Sequence, residues 1–504
     1  GGDENLRSEI YARKAGKITE YLVILKRQKK YHNMKHFTYC FLTAVTATAL
    51  LAASCKPCTY YGQRAEALDD SCWEQSRWIS AADAEVIDTP VYDSRQNRAA
   101  DGASWFVSDI VNDKKVVSAR WMTAGLGVYD IYVNGKLIGA EVLKPGFTHA
   151  AKTKRSFTYD VTDAMKTGEG AVNRFSACVT PGWWADKIVT PGYKADRPEV
   201  TGMVGKKCAF RGVIELSYND GTTELLGTDT RNWKAGIAGP VKHAAIFDGE
   251  EYDARIRPPV FGEGLDRIPE VNAEFNGEIL PTAGAEVVLR RDLAMRRGPF
   301  VLRKGEPVVV DFGQNCAAVP SFVFSAAEGT VLTCRVAEIL NDGNGAKSRN
   351  ADGPEGSVHR DNLRMGDRGM KLVYTFGPEN RNVSFCPGCT FFGYRFVSIT
   401  ASAPVSVRSI ESIPVTSITK EMETGFITTG SEDINRIISN AVWGQRSNYL
   451  SIPTDCPQRD ERQGWSADTQ VFAGTGCFFA NTCRFFHKWM RDVRDTQNEK
   501  GGFA

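Results

Sequence analysis

The chain contains only six histidines among 504 residues, too few to favour a histidine-based metal centre. It lacks the glycine-rich phosphate loop, the dinucleotide glycine fingerprint after a strand and the His-Glu-x-x-His helix, which removes the commonest nucleotide-binding and zinc-protease chemistries. Charge of neither sign dominates: 62 Lys+Arg stand against 60 Asp+Glu, a net charge of +2, so no overall field draws the chain to nucleic acid or to an anionic membrane. Thirteen cysteines in this length fall far short of a disulfide scaffold, and the odd total argues against a fully paired framework. What is present is ordinary globular material, 42% hydrophobic and 24% charged. At roughly 100 to 200 residues per domain the length suggests about three domains.

From Met34 a cationic start is followed by an uncharged apolar run from Phe37 and by small residues before Cys55, the layout of a signal peptide. The run is short of the roughly 20 residues that a membrane-spanning helix needs. Its end, Leu51-Ala52-Ala53-Ser54-Cys55, resembles a bacterial lipobox, with Ala52 where Leu is usual. That resemblance implies lipid modification at Cys55 and an exported protein, in the periplasm or at the outer membrane or cell surface, touching the membrane only through its anchor. Residues 1–33 look like no exported element and read as an unstructured upstream extension, with 34–55 the signal peptide and 56–74 a linker.

Residues 75–256 read as strands separated by turn signals every eight to twelve residues, the pattern of a β-sandwich. Two hairpins stand out, at Asn134-Gly135 and at Asp220-Gly221, each between alternating runs and each tolerant of the positive φ a tight turn demands. Pro-Gly pairs at 145–146, 181–182 and 191–192 punctuate the loops. The same texture returns over 285–416, with strands expected at Val308 to Phe312, Ser321 to Phe324, Val331 to Val336 and Tyr394 to Thr400, hence a second sandwich. Asn341 to Asp367 is polar and glycine-rich and is expected to be a long surface loop, a feature uncommon unless it serves a purpose. At Ser431, a helix-capping residue, the period changes to 3.6: Ile434, Ile437, Ile438, Ala441 and Val442 share one face, and Phe486, Trp489, Met490 and Val493 form a second such pattern.

Between those helices lies Asp455-Cys456-Pro457-Gln458-Arg459-Asp460-Glu461-Arg462-Gln463-Gly464-Trp465-Ser466-Ala467-Asp468. Four carboxylates, two arginines and a tryptophan in fourteen residues are too polar for a core element, and the proline and glycine shape a loop. Acids beside arginines stay ionised, whereas one against an aromatic wall is pushed toward its neutral form and can donate a proton. A tryptophan ring among acids also suits a sugar, covering its apolar face while carboxylates accept from its hydroxyls. Composition alone leaves a salt-bridged surface loop equally open.

This loop resembles the signature of the bacterial α-L-rhamnosidases, inverting glycoside hydrolases whose (α/α)6 catalytic barrel follows β-sandwich domains. Other stretches are similar in the same order: Tyr132-Val133-Asn134-Gly135, Leu143-Lys144-Pro145-Gly146-Phe147-Thr148 and Phe247-Asp248-Gly249-Glu250-Glu251-Tyr252-Asp253-Ala254-Arg255 for the first sandwich, Val310-Asp311-Phe312-Gly313-Gln314-Asn315 and Phe392-Gly393-Tyr394-Arg395-Phe396 for the second. The resemblance covers roughly residues 75 to 504. It implies two jelly-roll-like sandwiches followed, from 417 to 504, by the first helices of a truncated barrel, since twelve helices would need upwards of roughly 170 residues.

Carried onto this sequence, the resemblance makes Glu461 the general acid, with Asp455, Arg459 and Asp468 holding rhamnose hydroxyls and Trp465 lining the pocket. The substrate it implies is a rhamnose-containing plant glycan or glycoside, without a cofactor. Inversion also needs a second carboxylate as base, about 6.5 to 9.5 Å from the acid. The family's base lies later in the barrel, so none is nominated here and the chain is expected to be an incomplete fragment. Two alternatives remain: an inverting glycosidase of the same fold acting on another sugar, or a non-catalytic rhamnoside-binding lipoprotein. Trp183 and Trp184 are candidates for an accessory sugar platform on the first sandwich, against the plainer reading of aromatic packing between sheets. Cys386-Pro387-Gly388-Cys389 has half-zinc or redox spacing but no second pair or nearby histidine, so it reads as structural, and Cys456 as packing. No metal site is expected.

Overall fold

The computed structural model describes residues 60–84, 102–149, 151–186, 205–262, 265–284, 286–344, 352–363 and 369–503, all within one compact unit, Ala52–Ala504. The extension, the signal peptide and Cys55 lie outside the described residues. The segment read as a linker is partly structured: Gln63–Arg64 pairs antiparallel with Thr153–Asp160, and a 3-10 turn at Asp70–Gln75 buries Trp73.

The first β-domain faces an eight-stranded sheet, built around Val116–Leu126, Thr153–Asp160 and Ala209–Tyr218, against a five-stranded sheet centred on Ser104–Val111, Val172–Thr180 and Val128–Val133. Their inner faces meet at Trp121, Tyr129, Phe175 and Phe210, all fully buried. Trp121 packs edge-on to Phe175 at 5.1 Å between ring centres, a favourable aromatic geometry. Both expected hairpins form. Asn134 and Gly135 take φ of 52° and 77°, closing a two-residue turn of the mirror-image type between Val133 and Lys136. At the other, a three-residue loop puts Gly221 at φ 83° while Asp220 accepts from the Thr222 N–H at 3.0 Å.

Strand pairing does not respect the boundary read at residue 256. Glu270–Val271 and Glu278–Pro281 extend the first domain's sheet, whereas Val241–Ala245 and Gly249–Asp253 join the second domain, the latter parallel to Lys371–Thr375. Sheet membership depends on which distant edge a strand meets, and alternation along the chain carries no information about that partner. In the second domain eleven strands form one hydrogen-bonded sheet around the 19-residue strand Val308–Ala326. Register shifts in that strand between Asp311 and Cys316, and between Val323 and Phe324, are the irregularities that bend a sheet around a core. Here the core includes Phe324, Tyr374, Phe376 and Phe385.

Three helices follow: α1 (Glu432–Asn448), α2 (Ser466–Phe479) and α3 (Cys483–Asp495). Ser431 caps α1 as expected, but the anticipated apolar face is not its buried one. Ile434 and Ile437 are exposed, and the helix docks through its last turns, where Gln445 donates to the Gly476 carbonyl at 2.9 Å and Ser447 accepts from the Ala317 N–H at 3.1 Å. In α3, Met490 points outward and the buried face carries Phe485, Lys488, Trp489, Asp492 and Asp495. Lys488 and Asp492 offset each other's burial through an ion pair of 2.7 Å, which is why a helix face that looks polar in sequence can be internal.

Candidate active site

The signature loop follows α1 after a short strand pair, Tyr449–Leu450 with Ile452–Pro453. Its neck is closed by two backbone-directed bonds: Asp455 N–H donates to the Gln463 carbonyl at 2.9 Å, and Gln463 N–H returns a bond to Asp455 Oδ1 at 2.8 Å. Within this ring side chains divide by direction. Asp460 and Arg462 turn into the protein, at 0% and 3% exposure. Arg462, in the left-handed region at φ 52°, donates Nη1 to the carbonyls of Ile246 and Phe391, both at 2.9 Å, and its guanidinium lies over the Phe247 and Phe391 rings. Asp460 N–H donates to the Leu363 carbonyl at 3.0 Å. The two residues therefore anchor the loop to the segments around 246, 363 and 391. Sequence composition counted them with the chemistry, and no signal along 459–462 separates them.

Asp455, Arg459, Glu461 and Trp465 converge. Arg459 Nε donates to Glu461 Oε2 at 2.8 Å, and its Nη2 lies 3.5 Å from Asp455 Oδ2. Trp465 Nε1 donates to the other Glu461 oxygen at 3.0 Å. Glu461 is 8% exposed, so its carboxyl is held from both sides at the edge of the buried region. Burial pushes the Asp455 carboxyl above its ordinary range, and the neighbouring Glu461 adds to this against the opposing bonds from Cys456 and Gln463 and the charge of Arg459.

Asp468 does not join them. It is exposed in the first turn of α2, and among the described residues no hydrogen bond or ion pair ties it to the cluster. Nor do the paired tryptophans present a shared exposed face. Trp184 is 3% exposed, with Nε1 donating to the Lys207 carbonyl at 2.7 Å, while Trp183 is half-buried, edge-on to Phe147. Both rings serve packing between elements.

Donor atoms of Asp455, Cys456 and Glu461 lie within 4.8 Å of one another, a spacing that could suggest a cation. Arg459 already supplies positive charge to both carboxylates, which disfavours a second cation there, and burial pushes the Cys456 thiol up. The same closeness excludes Asp455 as the base of an inverting pair, which needs about 6.5 to 9.5 Å to admit a water. The Cys386–Cys389 turn is structural: Glu250, buried at 3% exposure, accepts from the Gly388 and Cys389 N–H groups at 2.9 and 3.1 Å.

Residues 114–270 match the family model for the α-L-rhamnosidase N-terminal domain, 302–417 that for the bacterial α-L-rhamnosidase concanavalin-like domain, and 422–504 that for the bacterial α-L-rhamnosidase six-hairpin glycosidase domain. An α-L-rhamnosidase of Streptomyces avermitilis is 32% identical over 409 residues, 78% of this chain and 36% of that protein. One from Formosa agariphila is 29% identical over 79% of this chain and 40% of its own length. Among solved structures, the Streptomyces avermitilis enzyme complexed with L-rhamnose matches with a TM-score of 0.66 at 29% identity, over 80% of this chain and 37% of that one. The Dictyoglumus thermophilum α-L-rhamnosidase matches with a TM-score of 0.70 at 25% identity, over 87% and 46%. The chain thus spans less than half the length of each of these relatives.

Proposed function

Because the chain belongs to the bacterial α-L-rhamnosidase family through three successive domains, we propose that it acts in the hydrolysis of terminal α-L-rhamnose from plant glycans or glycosides. The observation that carries this reading is the hold on Glu461, whose two carboxylate oxygens are gripped by Arg459 and Trp465 in a loop anchored to the segments around 246, 363 and 391. A carboxyl fixed in this way is positioned for a departing glycosidic oxygen, and the role of general acid comes to it from the family's pattern and not from these bonds. Asp455 and Arg459, beside it, offer an acceptor and a donor to sugar hydroxyls, and the Trp465 ring offers an apolar face. Asp468 stays in this reading as a binding residue recruited when a sugar enters. Water is the nucleophile, and the base that activates it is assigned to none of these residues.

The test is hydrolysis of p-nitrophenyl α-L-rhamnoside against a panel of other aryl glycosides, by the 504-residue chain and by the complete reading frame that contains it. Rhamnoside cleavage in either, well above every other glycoside, supports the proposal. A folded, complete protein that cleaves another sugar faster corrects the substrate, and one that only binds rhamnosides turns the reading into that of a lectin-like lipoprotein.

The export reading belongs to the same proposal and rests on the sequence from Met34 to Cys55: an exported lipoprotein anchored through Cys55, in the periplasm or at the cell surface. Metabolic labelling with a palmitate analogue, lost in Cys55→Ala, is the expected outcome; labelling that survives the substitution refutes the anchor.

A further inference from the structure

We propose that Asn315 and Glu338, both on the second β-domain, form the leaving-group subsite of this centre and recognise the hydroxyls of a sugar aglycone, an inference that rests on the rhamnosidase reading above. Asn315 is exposed and sits where the strand Val308–Ala326 breaks its pairing between Asp311 and Cys316. A break of this kind re-aims a side chain away from the ladder. Its Nδ2 donates to Glu338 Oε1 at 2.7 Å. Glu338 follows the strand Val331–Ala337 and is half-buried, with its second oxygen 3.5 Å from Asn362 Nδ2. Asn362 belongs to the turn Asp361–Leu363, whose Leu363 carbonyl accepts from Asp460 in the signature loop. Glu338 is thereby tied to the loop that carries the acid. Burial raises its carboxyl, and Arg459 is near enough to oppose that rise.

Arg459, beside Glu461, keeps 31% of its side chain exposed, and Glu338 and Asn315 are the half-buried and exposed polar groups of the second β-domain tied to the same loop. This placement matters because a general acid gives its proton to the bridging oxygen, so the leaving group extends from the acid's side of the sugar. Asp460 and Arg462 are buried, so the groups left to meet a leaving group on the solvent side are the partly exposed Arg459 and Glu338 and the exposed Asn315. A carboxylate that accepts from two amides still has lone pairs for hydroxyls, and an amide beside it supplies the complementary acceptor and donor. A hydroxylated ring satisfies both; a bare aryl group satisfies neither.

The experiment is calorimetric titration with L-rhamnose and with a rhamnosyl-glucose disaccharide, using the chain as it stands and the variants Glu338→Ala and Asn315→Ala. The intact chain is expected to bind the disaccharide about tenfold tighter than rhamnose, as one or two well-placed hydrogen bonds would give. Each variant is expected to reduce that ratio to about twofold or less. Asn315 is exposed, so its truncation leaves the core untouched. A ratio that stays the same in both variants, or an intact chain with no preference for the disaccharide, overturns the subsite while leaving rhamnose binding standing. Absence of binding to either sugar by the folded chain overturns the subsite as a feature of this chain and leaves the rhamnosidase reading to the hydrolysis test above.

Discussion

Gly393 lies directly beneath Gln458: a Cβ placed on Gly393 would stand 2.8 Å from both the nitrogen and the Cα of Gln458. The glycine is thus one of the contacts through which the second β-domain seats the signature loop, and space is the reason, since its backbone is not among those in the left-handed region. Gly393→Ala must push backbone against backbone, which a flexible side-chain tip could absorb and a loop closed at its neck cannot. We expect a loss of about 1 to 3 kcal/mol in denaturant unfolding and a disproportionate loss of rhamnoside binding, because the displaced segment carries Arg459 and Glu461. Equal binding at unchanged stability would show that the loop is seated elsewhere.

Glu461→Gln keeps the shape and one acceptor but cannot give a proton. In the complete protein, hydrolysis of rhamnosides with poor leaving groups is expected to fall by about 10² to 10⁴, and that of activated aryl rhamnosides far less, because only the former need protonation at departure. A comparison of kcat/KM across leaving groups of graded acidity checks it, and losses equal across the series would remove Glu461 from the role of acid.

Glu423 joins the entry to the helical segment on two sides. Arg290 Nη1 and Arg446 Nε donate to its Oε1 at 2.8 and 2.7 Å. Burial on its own would raise this carboxyl, but the hydrogen bonds from Arg446 and Arg290 win and hold it below its ordinary value of 4.5. A depressed folded value means stabilisation fully present above the unfolded value and lost as pH falls through the folded one. Glu423→Gln is therefore expected to cost about 2 kcal/mol at pH 7 and progressively less below about pH 4, where the native chain also loses the charge. Urea melts of both proteins across that range decide it; a constant difference would assign the effect to packing.

The buried Lys488–Asp492 pair gives a double-mutant cycle. Lys488 also donates to the Ser451 carbonyl at 3.1 Å and to that of Phe147, so it links α3 to the first β-domain. Lys488→Met alone leaves Asp492 buried and uncompensated, at an expected cost of about 3 to 5 kcal/mol. Adding Asp492→Leu is expected to restore most of that loss. If the double variant is as unstable as the single one, the hydrogen bonds of Lys488 outweigh the ion pair.

Much of this protein was legible because its signals are local. The two hairpins follow from Asn134-Gly135 and Asp220-Gly221, whose residue types select turn geometry within four residues. The start of α1 follows from Ser431, and the polar, angular stretch from Asp455 to Asp468 announced a shaped loop through composition alone. The expected surface loop from Asn341 was legible in position but not in role: Asn341 is 3% exposed and bonds Ser357 and Val358, and the turn at Asp361–Leu363 supports the site.

Residue type, spacing and turn chemistry along the chain determined that two β-rich regions precede helices and that acid, guanidinium and indole recur in one loop. Only the tertiary structure decided which of those groups meet. It turned Asp460 and Arg462 inward, left Asp468 exposed outside the cluster, buried Trp184 and divided the strands between sheets across the expected boundary. The physical reason is that periodicity reports which side of an element is apolar, whereas direction, pairing and burial are settled by contacts with residues tens to hundreds of positions away, which no local pattern encodes.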